Sequence, residues 1–165
     1  MNDSSNICLS CGLCCDGTVI GFVHVDNDEI DDLRKIKVIE EEDGNSIFLQ
    51  PCERFCNGCT IYDQRPKQCA SFKCGLLTDV EENKVAFHSA VETIERVKHL
   101  KSDIEKQIES LEITLDSNSF YFKTLELKKR FRELGKPSAS VGQYQELIIA
   151  LRQFDAVLLE KFGLN

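Results

Sequence analysis

From residue 85 onward the chain repeats apolar positions at helical spacing. Ala90, Ile94, Val97, Ile104, Ile108, Leu111 and Leu115 advance by threes and fours. Lys101 is the one polar interruption and Leu100 stands beside the stripe. That pattern predicts a long amphipathic helix. A second helix is predicted from Phe120 to Leu134, stopped at Gly135 with Pro137 beyond it. A third opens on a capping box, Ser140-Val-Gly-Gln143, and runs to about Phe162, with Leu147, Ile148, Leu151, Phe154, Leu158 and Phe162 apolar. The three stripes are expected to form the core of an antiparallel helical arrangement. A face that binds a protein partner, or a second copy of the chain, is the other use such a stripe can have.

The first half patterns differently. Thr18-Val19-Ile20-Gly21-Phe22-Val23-His24-Val25 is rich in β-branched and aromatic residues and predicts a strand. Asp26 or Asn27 is placed to cap a short helix from Asp28 to about Lys35, with acidic residues in its first turn. Val38-Ile39 and Ile47-Phe48-Leu49 read as two arms of a hairpin around Glu42-Asp43-Gly44-Asn45. From Pro51 to Cys74 no period persists, as expected of a segment folded around ligands. The fold class is therefore α+β. A small cysteine-rich, metal-organised domain, 1–80, is followed by an all-helical hairpin or three-helix region, 85–165, with the break near the charged stretch Asp79–Lys84.

Composition adds a compartment and an exclusion. The chain of 165 residues carries a formal charge of −8. Residues 1–80 hold 7 Lys or Arg against 14 Asp or Glu, whereas residues 81–165 hold 13 against 14. So acidic a first half repels phosphate backbones, and nucleic acid is not an expected partner. Residues 1–6 have neither a basic nor an apolar segment of the secretory kind, and no apolar run approaches the ~20 residues that span a bilayer. No membrane partner and a cytoplasmic location are expected, and there thiols stay reduced.

All nine cysteines fall between Cys8 and Cys74. In a reducing compartment they read as metal ligands or redox groups before they read as disulfides. Cys8-x2-Cys11-x2-Cys14-Cys15 is the first cluster; Cys52-x3-Cys56-x2-Cys59, then Cys69 and Cys74, form the second. Thiolates two residues apart in a turn converge on one metal, and turn N–H groups offset their charge. Cys8, Cys11 and Cys14 match the first three ligands of the bacterial ferredoxin run, without its fourth ligand and proline. Paired C-x2-C units equally describe tetrahedral zinc, and ligand type alone does not choose between the metals. The spacing of Cys52, Cys56 and Cys59 also fits radical S-adenosylmethionine enzymes. The chain is too short for their barrel, lacks alternating βα units and has Gly58 where they carry an aromatic residue.

Around the cysteines, Arg65 suits either a sulfur or substrate contact or a structural ion pair. Tyr62 suits a hydrogen bond to a thiolate or plain packing, and His24 is a substitute ligand on a strand face. His88 and His99 read as ordinary helix residues. Lys128-Lys129-Arg130 with Arg132 reads as a solvated face or a contact for an acidic protein. No catalytic residues are recognisable: there is no serine–histidine–acid pattern, no carboxylate pair and no P-loop.

Taken together, Cys8-Leu-Ser-Cys11-Gly-Leu-Cys14-Cys15, Pro51-Cys52 and Cys59-Thr-Ile-Tyr62-Asp-Gln-Arg65-Pro66-Lys-Gln-Cys69-Ala-Ser-Phe72-Lys-Cys74 resemble the CxxCxxCC, or YkgJ-like, family. Its members are described as zinc- or iron-chelating and are often labelled iron–sulfur proteins. The resemblance covers roughly residues 7–76 and leaves the helical half outside. It implies eight metal ligands: Cys8, Cys11, Cys14, Cys15, Cys52, Cys59, Cys69 and Cys74. Cys56 departs from the pattern, as a spare thiol or a substitute ligand. Three functions are compatible. One is an iron–sulfur redox or accessory protein, the cluster being favoured over Zn2+. Another is a zinc-stabilised module whose C-terminal helices engage a protein. The third is a metal-dependent modifying enzyme, because a flagellin lysine methylase carries a similar signature; this chain has no glycine-rich nucleotide loop.

Overall fold

The apolar stripe after residue 85 folds as expected, into α5 (Phe87–Ser110), with Ala90, Ile94, Val97 and Ile104 buried. The structure, a computed structural model, describes residues 4–133 and 139–164. In chain order the other elements are α1 (Ser4–Cys11), β1 (Phe22–His24), α2 (Ile30–Leu33), β2 (Glu40–Glu42), β3 (Asn45–Leu49), α3 (Lys67–Ser71), α4 (Gly75–Glu81), α6 (Phe120–Glu133) and α7 (Gln145–Val157). The class is α+β, dominated by helix.

Several boundaries move, each for a local reason. α5 ends at Ser110 instead of continuing through Leu115. Glu112 takes a left-handed φ of 53°, and the Ile113 N–H donates to the Ile108 carbonyl at 3.0 Å, which closes the helix end. Leu115 still packs against the core from beyond the helix. Before α7, residues Ala139–Tyr144 form a 3-10 turn, and after it Leu158–Phe162 continue as a π-helical turn capped by left-handed Gly163. The stop at Leu134, Gly135 and Pro137 lies outside the described residues, as does the side chain of Ser140.

The sheet is antiparallel in the order β1-β3-β2, with Val23 opposite Phe48 and Glu41 opposite Ser46. The hairpin forms around Asp43 and Gly44, whose φ values of 49° and 80° give the left-handed turn that matches strand twist. Its first arm is Glu40–Glu42, not Val38-Ile39. The strand expected over 18–25 shrinks to three residues because Thr18 and Val19 both donate to the Leu13 carbonyl at 3.1 Å. Those residues belong to the first cysteine turn. α2 is shorter than expected and is preceded by Glu29 rather than capped by Asp26 or Asn27. Asp26 instead accepts the Glu29 N–H through its carbonyl at 2.9 Å, closing a turn.

One large core gathers α1, α4, α5, α6 and α7. Ile7, Leu13, Val19, Leu76, Leu77 and Val80 join Ile94, Val97, Ile104, Phe120, Leu127, Leu147 and Phe154. Full burial of each such side chain contributes roughly 1.5–3 kcal/mol. Apolar residues from both sides of the charged stretch Asp79–Lys84 meet here, and α4 carries the chain into it. A second, smaller core of Val23, Val25, Leu33 and Phe48 lies under the sheet. Cys11, Cys14 and Cys74 pack against the large core, and Cys52 and Cys69 against the small one.

Candidate metal centre

The cleft between the cores encloses about 460 Å³ and is lined by Cys8, Cys11, Cys14, Cys15, Cys52, Cys59, Cys69 and Cys74. All nine cysteines are free thiols, and Cys56 is exposed outside the cleft lining. The eight sort into two groups. Cys11, Cys14 and Cys74 pack against the large core, whereas Cys52 and Cys69 pack against the small one. Electrostatics give the same division. Cys11 and Cys14 each feel Cys74 and Cys8, Cys15 feels Cys52, Cys59 and Cys69, and Cys14 also feels the adjacent Cys15. The adjacent Cys14 and Cys15 therefore face different groups, and the chain crosses between them in one peptide step of about 3.8 Å.

Local structure explains how each thiol arrives. α1 carries Cys8 and Cys11, and Gly12 then turns at a left-handed φ of 70°. A Cβ there would lie 2.5 Å from the Phe55 ring, so the turn accepts glycine where other residues would collide. Cys74 stands at the N-cap position of α4, where the backbone N–H groups of Leu76 and Leu77 offset part of the burial that raises its thiol. The Leu13 N–H does the same for Cys11. In the other group, the Cys52 N–H donates to the Cys15 carbonyl at 2.7 Å. The loop beyond Cys52 closes through Thr60 N–H on the Arg54 carbonyl at 2.9 Å. Cys69 rides on α3, docked by the Lys67 N–H on Glu29 Oε1 at 2.9 Å and by Lys67 Nζ on Asp28 Oδ2 at 2.6 Å.

Burial pushes the Cys11 and Cys15 thiols up to about 12 and Cys69 up to about 11, with neighbouring thiols adding to each. Burial raises Cys8, Cys14 and Cys74 as well. Metal-free, these groups are neutral, and a metal that binds them must release their protons. Among the described residues, no three His, Cys, Asp or Glu side chains are already closed to metal-holding distance. The donor set nonetheless fits a soft metal: eight thiols around one cleft, with Lys37 on Cys52 and Arg65 beside Cys8 and Cys59.

The cations were only half legible. Arg65 stacks on the Tyr62 ring, its guanidinium carbon 3.8 Å from the centroid, and faces Cys8 and Cys59. Tyr62 thus serves as a platform for that charge. Lys37 carried no distinguishing signal, since it stands in the mixed run Arg34-Lys35-Ile36-Lys37-Val38. It is 7% exposed and donates to Cys52 Sγ. Gln50 is also buried on the cleft wall, with its Oε1 unpartnered. His24 sits exposed at the rim, edge-on to Phe22. His88 and His99 are exposed on α5 and do not line the cleft. The basic run folds back on the chain: Lys128 pairs with Asp155 at 2.6 Å, and Arg130 pairs with Glu126 and donates to the Thr114 carbonyl at 2.8 Å.

Fold and cleft together define a cysteine-cluster metal-binding domain braced by helices. A family model described as "CxxCxxCC: Putative zinc- or iron-chelating domain" matches residues 7–93. The chain belongs to that family. The match runs past the cysteine motif, through α4 and into α5, so part of the helical half lies within the family domain. Neither a curated protein nor a solved structure matches the chain.

Proposed function

We propose that the eight thiols form two four-thiolate metal centres, Cys8/Cys11/Cys14/Cys74 and Cys15/Cys52/Cys59/Cys69, in a redox or accessory protein of a reducing, cytoplasmic compartment. The observation that supports this reading is that Cys11, Cys14 and Cys74 pack against one core and Cys52 and Cys69 against the other, with Cys8 and Cys15 assigned by the thiols they feel and Cys59 by its proximity to Cys15. Four soft donors per site suit zinc and iron–sulfur clusters alike. The roomy cleft favours a cluster, because an inorganic core occupies far more volume than a single ion. Bound, such a cluster would supply one-electron transfer, and the protein's own groups would hold it, shield it and set its charge. With every thiol engaged, neither centre keeps an open position, which argues against a modifying enzyme.

The test is elemental analysis with an absorption spectrum on protein purified without oxygen. Iron with matching acid-labile sulfide and a broad visible band supports the reading. Zinc at two equivalents with no colour keeps the two centres and replaces the redox role with a zinc-stabilised interaction module. Metal content that survives serine substitution at both Cys11 and Cys69 would overturn the ligand assignment.

A further inference from the structure

The two thiol groups are neutralised by different means. Backbone N–H groups of Leu13, Leu76 and Leu77 offset burial at Cys11 and Cys74, and the more exposed cations Lys98 and Arg65 act on Cys11 and Cys8. Cys52 receives the ammonium of Lys37. This lysine is 7% exposed, and among the described residues no carboxylate lies within ion-pairing distance of it. The Phe48 ring, 4.1 Å from its nitrogen, is the other contact. A buried ammonium without an anion is costly, and a ring face offsets only part of that. Cys15 and Cys69 feel the same charge. Lys37 is also held in place, because the neighbouring Ile36 carbonyl accepts from Arg54 Nε at 2.6 Å, and Arg54 belongs to the loop between Cys52 and Cys59. The anion that would match it forms when metal displaces the thiol protons.

We infer that Lys37 is a positioning residue for the Cys15/Cys52/Cys59/Cys69 centre, where its buried charge offsets one negative charge of the metal–thiolate group, so that the two centres hold metal unequally. This rests on the two-centre reading above. Removing an outer partner of this kind typically weakens metal affinity about 10–100-fold. The other centre, whose thiols do not feel Lys37, should not notice.

The experiment titrates Co2+ into the reduced, chelator-stripped full chain and follows thiolate-to-metal absorption. Cys11→Ser and Cys52→Ser each leave one centre to be read alone. In the Cys11→Ser background, Lys37→Met should weaken the remaining binding step about 10–100-fold, and Lys37→Arg should restore most of it. In the Cys52→Ser background, Lys37→Met should change nothing. Metal-free Lys37→Met should melt no lower than the unaltered chain, since it loses an unpaired buried charge. Equal weakening in both backgrounds, no weakening in either, or a lower metal-free melting point would assign Lys37 a general structural part and overturn the inference. Should Lys37→Met fail to fold, Lys37→Gln replaces it under the same criteria. Failure of the underlying reading looks different: the unaltered chain takes up fewer than two equivalents, or Cys11→Ser and Cys52→Ser erase the same step.

Discussion

The first and second cysteine clusters sit in opposite structural circumstances. Around the first, Gly12, Leu13, Gly17, Thr18 and Val19 are all buried. The helical half grips that turn directly: Tyr121 N–H and Ser119 Oγ both donate to the Gly17 carbonyl, at 2.8 and 3.2 Å. Between residues 51 and 74, by contrast, Pro66 alone is buried. A stretch with so little apolar burial does not recover the conformational entropy of ordering its backbone, about 1–2 kcal/mol per residue. Hydrogen bonds such as Cys52 N–H to Cys15 and Arg54 to Ile36 order part of it, and ligand bonds would supply the rest. On the two-centre proposal, the comparison gives metal different work in the two places: it would join an already packed turn in one and organise the chain in the other.

Metal removal tests that contrast most severely. Chelation of the loaded chain is expected to strip hydrogen-exchange protection from residues 51–73 while α5 and α7 keep theirs. Uniform loss across both would show that metal organises the whole fold. The converse experiment is Phe154→Ala. Phe154 is 1% exposed and meets the Phe120 ring edge-on at 5.3 Å. Its truncation should lower unfolding stability by about 3–5 kcal/mol in urea melts, with or without metal. A loss confined to the metal-free chain would contradict independent packing of the helices. Gly12→Ala comes next. It sets a side chain into a left-handed turn and against Phe55, at a cost of about 1–3 kcal/mol, and should lower metal content because it prises the two cysteine loops apart. Unchanged metal content would mean that Phe55 simply swings away.

What could be read from the chain follows the same line. The stripe Ala90, Ile94, Val97, Ile104 announced α5, and Phe120 announced α6, because apolar spacing is itself what folds a helix. Thr18-Val19 misled as strand, since β-branched residues pack equally well in a turn hydrogen-bonded to Leu13, and spacing carries no record of that partner. α1 and α4, each under nine residues, held too few periodic positions to stand out. For the site, the motif named the eight cysteines that line the cleft. Their division was not, because it depends on which core each loop packs against. Lys37 was not legible either, since burial of a lysine is decided by tertiary neighbours such as Phe48 and Arg54.

The smallest expected effect concerns the polar link between the halves. Lys101 interrupts the apolar stripe of α5, yet it does not break the helix. Its ammonium pairs with Asp16 Oδ2 at 3.0 Å and lies 5.5 Å from the Phe120 ring centroid. Asp16 follows Cys15 directly, and its Oδ1 accepts the Thr18 N–H at 2.9 Å. The pair therefore connects the middle of α5 to the residue where the two thiol groups diverge. Side-chain exposures of 19% and 25% leave it partly screened. A double-mutant cycle of Lys101→Met and Asp16→Asn should give a coupling of about 0.5–1 kcal/mol in unfolding stability. Metal content should stay unchanged, because packing at Leu13 and Gly17 already fixes the turn. A marked loss of metal in Lys101→Met alone would reverse the comparison, making charge rather than burial the hold on the first cluster.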